Sequence, residues 1–170
     1  PSIVYSVDDN FTTNFMTMLN RLPFFPLYYS GKTKFVPIHC SDLTEVIFHV
    51  ISNNINSNII ECIGPETFSF KEILEKLLEL IEKKRILIPL PFFVANLSAK
   101  FFQIFPRPLI TQDQLRLLKY DNLPSGKYKT NFQINVPSTR YFLKEVEKYC
   151  YMWREGGQFS VKNYKTKIEQ

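Results

Sequence analysis

Short apolar runs alternate with segments of helical periodicity along this chain. Residues 1–5 are apolar and β-branched, which predicts a strand, and we expect the other strands of its sheet to lie upstream of Pro1. A helix is predicted over residues 10–22 because apolar side chains recur there at spacings of four, three and four: Phe11, Phe15, Met18 and Leu22. Such alternation favours an α/β fold in which helices cover short parallel strands.

The next segments continue this pattern. Residues 35–38 predict a strand, and Asp42 with Glu45 three positions later predicts a capping box that opens a helix. The expected buried face of that helix consists of Leu43, Val46, Ile47 and Val50. Residues 59–63 form a continuous apolar run before Gly64 and Pro65, so we expect a strand that is buried on both faces.

A second capping box is predicted at Ser69 and Glu72. The side chains expected to point inward from the helix that follows are Ile73, Leu77, Leu80 and Ile81. Residues 85–88 predict a short extended piece. Residues 91–105 predict a helix that is apolar on nearly every side, which favours partial burial combined with a docking role on a larger complex.

The C-terminal third is more polar. Residues 121–135 contain Pro124, Ser125 and Gly126 and predict a surface loop, after which Ser138 and Thr139 are expected to cap a last helix. We therefore expect one domain over residues 1–155, followed by a mobile charged tail over residues 156–170.

Composition narrows the function classes. The 170 residues are 45% hydrophobic, enough for one substantial core, and no apolar stretch is long and uninterrupted enough to predict a transmembrane helix. The net charge is +5, but the basic residues are dispersed and lack an aromatic RNA-binding signature, so no nucleic-acid partner is predicted. The three cysteines and two histidines show no metal-ligand spacing, and an odd cysteine count favours a reducing, intracellular compartment.

Several segments, spaced along the chain, resemble those of a known protein family. Residues 1–5, the stretch 35–42 that ends in Asp42, and the corner 64–66 together resemble the C-terminal half of an extended or atypical short-chain dehydrogenase/reductase. Residues 85–91, 109–115 and 153–159 are more narrowly similar to the NADPH-binding branch of that family that is associated with respiratory complex I. One departure is that Ser6 and Val7 stand where the family has Gly-Pro. The resemblance implies the C-terminal portion of a Rossmann-like fold, on its substrate-side lobe.

The resemblance also implies site residues. Pro1, Ser2, Ile3 and Val4 would pass the nicotinamide end of the cofactor, because ligands bind at the carboxyl ends of parallel strands. The alternative for these four residues is core packing alone. His39 and Asp42 would face the same crevice on the substrate side. The residues themselves favour plainer roles, a helix cap for Asp42 and a structural role for His39.

No catalytic residue is assigned within this chain. The glycines do not cluster into a turn that could hold a dinucleotide's phosphates. Tyr28 and Lys32 match the spacing of the family's catalytic Tyr-x-x-x-Lys, but Ser30 and Gly31 between them argue against a helix, so we expect coincidence. The resemblance therefore implies NADP or NAD binding by the intact protein, with none expected for this chain alone.

Two functions follow from the resemblance. The first is a part of an NAD(P)H-binding protein with an accessory or assembly role in respiratory NADH dehydrogenase, whose subunits and whose own N-terminal Rossmann half would be the partners. The second is the substrate-binding lobe of a nucleotide-sugar epimerase, dehydratase or reductase. The expected location is cytoplasmic or peripheral at the inner membrane, on the matrix side in a mitochondrion. Whether the chain takes part in catalysis stays open.

Overall fold

The computed structural model describes residues 1–55, 59–90 and 118–159. Within these ranges the α-helices are α1 (Thr12–Arg21), α2 (Cys40–Ser52), α3 (Phe70–Leu80) and α4 (Phe142–Glu147). The strands are β1 (Val4–Tyr5), β2 (Phe24–Leu27), β3 (Lys34–Phe35), β4 (Ile38–His39), β5 (Ile60–Glu61), β6 (Phe68–Ser69), β7 (Ile86–Pro89) and β8 (Lys129–Thr130). Short 3-10 helices occupy Tyr28–Gly31, Phe132–Ile134, Cys150–Trp153 and Gly157–Phe159.

The described strands pair two by two, and most of the pairs are parallel. Parallel pairs join β1 to β4, β2 to β7 and β5 to β8, whereas β3 and β6 are antiparallel. Each parallel pair is connected through at least one intervening helix, as parallel strands require. The prediction of a mixed α/β fold with short parallel strands is confirmed at this level.

The main hydrophobic core lies between α1 and α3. Phe15 of α1 packs edge to face against Phe70 of α3, with ring centroids 5.3 Å apart, and against Phe25 of β2. The capping box of Ser69 and Glu72 is present, as predicted. The predicted inward side chains of α3 are buried: Ile73, Leu77, Leu80 and Ile81. These local predictions succeeded because the capping residues and the apolar stripe lie within one element.

The C-terminal segment closes this core through polar contacts from buried or half-buried side chains. The Tyr149 hydroxyl lies 3.0 Å from Thr12 Oγ1, and Trp153 Nε1 donates to Thr17 Oγ1 at 2.9 Å. The buried Arg154 guanidinium donates to the Leu80 carbonyl at 2.6 Å, beside the end of α3. Residues 149–154 are thereby fixed against both helices of the main core.

Two burial predictions were wrong. Ile47, expected on the buried face of α2, is 51% exposed, and Val46 is the residue of that face that is fully enclosed. Residues 59–63 are not buried on both faces, since Ile59 is 59% exposed and β5 is only half-buried. One side of β5 faces an open cleft among the described residues instead of a second layer of helices.

Residues 121–135 are not only a surface loop. They include β8, which pairs with β5, and the fully buried Asn131. Ser138 and Thr139 do not cap α4, which begins at Phe142 after a Tyr141 that makes no side-chain cap. Ser138 is buried and donates to the Ile63 carbonyl at 2.8 Å, so its hydroxyl is used before the helix starts.

Some predictions lie outside the described residues: the apolar helix over 91–105, its docking role, the segment 109–115, and the charged tail beyond residue 159. In the part of the chain that the structure does describe, no helix is long and apolar enough to cross a membrane.

Gly64 packs directly against the backbone of Pro37. A Cβ at this position would lie 1.7 Å from the Pro37 carbonyl oxygen, a distance at which the backbone must move. We expect Gly64→Ala to lower the free energy of unfolding by about 3 kcal/mol, because the added methyl group must displace backbone here. Urea unfolding followed by circular dichroism measures the change.

The matched control is Gly126→Ala. A Cβ at Gly126 meets nothing within 4 Å, and its φ of +73° costs only about 1 kcal/mol for an L-residue. Equal losses for the two variants would contradict the steric explanation.

Candidate functional site

Of the predicted site residues, His39 and Asp42 lie where β1 and β4 end, whereas Pro1, Ser2 and Ile3 precede β1. These strands are parallel, with Val4 opposite Ile38 and Tyr5 opposite His39, so their carboxyl ends share one edge. The rings of Tyr5 and His39 therefore contact each other edge to face, with centroids 5.2 Å apart. This edge is the place where an open parallel sheet binds ligands.

Tyr5 is fully buried at this edge. Its hydroxyl donates to the Arg140 carbonyl at 3.2 Å, and its ring packs edge to face on Phe142, 4.9 Å between centroids. Burial, and then the charge of Glu145, raise the pKa of Tyr5 far above its ordinary value. The phenol is therefore neutral and stays bound to a backbone carbonyl.

His39 is half-buried and caps α2. Its Nδ1 accepts a hydrogen bond from the Ser41 backbone N–H at 3.2 Å, so the neutral ring carries its proton on Nε2. Burial lowers the pKa of His39, and the nearby Glu145 charge opposes that shift. The imidazole is thus a neutral hydrogen-bond donor at Nε2, positioned beside the strand ends.

Asp42 does not cap α2, which corrects the prediction. The helix begins at Cys40, so Asp42 lies within the first turn, where its buried carboxylate forms an ion pair with Arg140. Asp42 Oδ2 also accepts from the Arg140 backbone N–H at 3.1 Å. Glu45, the other half of the expected box, accepts from the Arg140 guanidinium at 3.0 Å instead. The side chains of Asp42 and Glu45 raise the pKa of Arg140, which therefore stays charged.

Ser2, in the predicted cofactor wall, is hydrogen-bonded through both its backbone and its side chain. Its backbone N–H donates to the Cys62 carbonyl at 3.0 Å, and its buried hydroxyl accepts from the Val36 N–H at 3.1 Å. The same hydroxyl lies 3.3 Å from the Asn122 carbonyl, to which it donates. Ser2 thus joins three chain segments. That Pro1, Ser2, Ile3 and Val4 also line a cofactor stays a prediction.

The Tyr28 and Lys32 pair does not lie on one face of an α-helix. Tyr28 is buried in a 3-10 turn, in which Tyr29 and Ser30 have left-handed backbone angles, φ 50° and 57°. Lys32 follows the turn and is exposed. The arrangement that would let an ammonium lower the pKa of the phenol is therefore not formed by these two residues.

Sequence reasoning missed Arg140 and Asn131 in this region and gave Ser138 a different role, that of a helix cap. Arg140 holds Asp42 and Glu45, while Asn131 and Ser138 form a buried polar link: Asn131 Nδ2 donates to Ser138 Oγ at 3.0 Å. The sequence offered two weak signals: Arg140 stands just before an apolar helical stretch, and the polar residues Asn131 and Ser138 are seven positions apart. Neither signal identifies its distant partners.

The described ranges hold no group of three or more His, Cys, Asp and Glu side chains that could bind a metal ion. The described cysteines are free thiols, and burial raises the pKa of Cys62. The arrangement offers a neutral phenol, a neutral imidazole and a carboxylate neutralised by arginine. Such a set can orient a ligand by hydrogen bonding.

Comparison with known proteins gives one informative match. No model of a known protein family matches the chain. The chain is 26% identical over 136 residues to the mitochondrial NADH dehydrogenase (ubiquinone) 1 alpha subcomplex subunit 9 of Arabidopsis thaliana. The chain is a distant relative of that subunit. The alignment covers 74% of this chain and 34% of the subunit, so the chain spans about a third of its relative's length.

The pKa of His39 gives a testable dependence on pH. Because the folded-state pKa is lowered, the unfolded chain gains a proton on His39 before the folded chain does. Stability is therefore complete above the unfolded pKa of about 6.5 and is lost as the pH falls below it. We expect His39→Asn, which keeps a capping side chain, to lose less stability than the wild type between pH 7.5 and 5.5.

The control replaces the other histidine of this chain, His49→Asn, near the far end of α2. Urea unfolding at both pH values measures the slopes. If His39→Asn and the wild type lost equal stability, the described environment of His39 would be wrong.

Proposed function

We propose that this chain is the C-terminal portion of a Rossmann-like, NAD(P)H-binding protein that serves as an accessory or assembly subunit of respiratory NADH dehydrogenase. The observation that carries the proposal is the similarity to the alpha subcomplex subunit 9 over 136 residues. Because this similarity covers 74% of the chain, it rests on much more than one local motif. It supports a mitochondrial location, and we propose a peripheral position at the inner membrane, on the matrix side.

The chemistry of the site supports a scaffold more than a catalyst. Proton transfer by a tyrosine requires a phenol whose pKa a neighbouring cation lowers. Tyr5 has a raised pKa and a bonded hydroxyl, and Tyr28 is separated from Lys32 by a left-handed turn. These residues therefore fit a binding role within this chain.

We propose that the cofactor of the intact protein is NADP or NAD and that its phosphates are held outside this chain. The wall contributed here would be Pro1, Ser2, Ile3 and Val4, of which Val4 belongs to β1 and the other three lead into it. Ser2 is already bonded on its side chain, so its contribution would be rigidity of the wall.

The first test of this proposal concerns assembly. The tagged full-length protein is expected to migrate with NADH dehydrogenase on native gels of detergent-solubilised mitochondrial membranes. Gly64→Ala should reduce this co-migration because it disrupts the junction of residues 37 and 64, whereas Gly126→Ala should retain it. Migration of the wild type apart from the complex, together with NAD(P)H-dependent turnover of a nucleotide sugar, would favour the enzyme function instead.

The second test concerns the cofactor. The full-length protein should bind NADPH or NADH, while residues 1–170 alone should bind negligibly because no clustered glycine turn is present in their sequence. Titration followed by cofactor fluorescence separates the two proteins. Micromolar affinity of residues 1–170 alone would contradict the assignment of the phosphate site to another part of the protein.

A further inference from the structure

A cleft of about 450 Å³ opens beside the strand pair β5–β8. Its apolar wall is formed by Ile55, Ile59, Ile60 and Ile134, with Tyr128 beside them. Lys127 and Lys129 complete the described lining, and both are exposed. The cleft therefore combines an apolar wall with two ammonium groups.

None of the described lining residues is acidic. Glu61 follows Ile60 on β5, but both of its carboxylate oxygens lie 3.0 Å from the Ser125 backbone N–H, which donates to them. Neither Lys127 nor Lys129 forms an ion pair with a described residue. The charge and polarity of this cleft complement a ligand with an anionic head and an apolar body.

Exposed apolar side chains also lie on α2 (Cys40–Ser52), the helix that precedes Ile55 in the chain. Ile47, Phe48 and Ile51 are 51%, 71% and 69% exposed. Their spacings of three and four residues place them on one side of the helix. Ile59, at the cleft, is also 59% exposed. Large apolar side chains grouped in this way mark a surface that contacts an apolar environment.

We propose that this surface, formed by the cleft and by Ile47, Phe48 and Ile51 of α2, binds an anionic phospholipid bilayer. Lipid phosphates would lie at Lys127 and Lys129, and the exposed isoleucines and Phe48 would enter the boundary between headgroups and acyl chains. An apolar helix face beside basic side chains is the arrangement by which proteins lie on anionic membranes. An acidic peptide helix fits less well, because a helix that occupied the cleft would leave the exposed Ile47, Phe48 and Ile51 of α2 uncovered.

The experiment is co-sedimentation of the full-length protein with vesicles of phosphatidylcholine, with and without phosphatidylglycerol. Binding is expected only when the anionic lipid is present, and it should weaken as salt is raised. Lys127→Gln with Lys129→Gln should lower the association constant roughly thirtyfold, the equivalent of about 2 kcal/mol. Each lysine near an anionic surface contributes about half of that amount.

The matched charge control is Lys32→Gln with Lys84→Gln, two exposed lysines outside the cleft. The apolar test variant is Phe48→Ser, and its control is Ile86→Ser. The Ile86 side chain is similarly exposed, at 69%, but lies on β7. Only Phe48→Ser should weaken binding, and thermal unfolding checks that every variant is folded.

Three results would overturn the proposal. Equal losses in the two lysine pairs would mean that net charge alone drives binding. A wild type that does not sediment with anionic vesicles would exclude the bilayer. Binding of dispersed dodecyl phosphate without vesicle binding would assign the cleft to a free amphipathic anion. The vesicles contain no other protein, so the outcome is independent of association with NADH dehydrogenase.

Discussion

Three separate parts of the chain, β1, α2 and the corner after β5, hold the segment from Arg140 to Phe142. Asp42 binds both the guanidinium and the backbone N–H of Arg140, and the Tyr5 hydroxyl donates to the carbonyl of Arg140. Glu66 accepts from the Phe142 N–H at 3.0 Å, which satisfies an N–H at the start of α4. The relative positions of β1, α2, the corner after β5 and α4 depend on these contacts.

The ion pair at the centre of this arrangement is unequally exposed. The Asp42 side chain is 1% exposed and that of Arg140 is 32% exposed, so the carboxylate depends on its partner for the hydrogen bonds that water would otherwise supply. Removing one member of a buried pair costs about 3–5 kcal/mol because a charge is left without compensation. The pair therefore specifies the position of residues 138–142 more than it adds net stability.

Asn131 specifies the neighbouring region in the same way. Its side chain accepts from the Ile63 N–H at 2.9 Å and donates to the Val136 carbonyl and to Ser138 Oγ. With Ser138 donating to the Ile63 carbonyl, both backbone polar groups of Ile63, just after β5, are bonded to side chains. A buried network is stabilising only when its members are satisfied, and this one has partners for both ends of the Asn131 amide.

Sequence reasoning succeeded where the interacting residues are close together in the chain and failed where they are far apart. Helices α1 and α3 could be predicted because their apolar stripes and the Ser69 box lie within a single element. The role of Asp42 could not be predicted. Its spacing to Glu45 fits a capping box, but it fits equally well two carboxylates that bind one arginine, and that arginine lies 98 positions away. The polar segment around Asn131 looked like a loop for the same reason. Its burial is compensated by Ile63, which is 68 positions distant.

These long-range bonds also limit what the strand-end site can do. A proton-transfer group must exchange its proton with a ligand, yet the Tyr5 hydroxyl is bonded to the backbone and burial holds the phenol neutral. The Asp42 carboxylate is bonded on both oxygens by Arg140. Of the named groups, His39 keeps a ring N–H at Nε2 as its donor, because Nδ1 is used to cap α2. The residues that fix this edge, Tyr5, Asp42 and Arg140, are therefore the same residues whose polar atoms are already bonded within the chain, and His39 is left as the group with a ring N–H to offer.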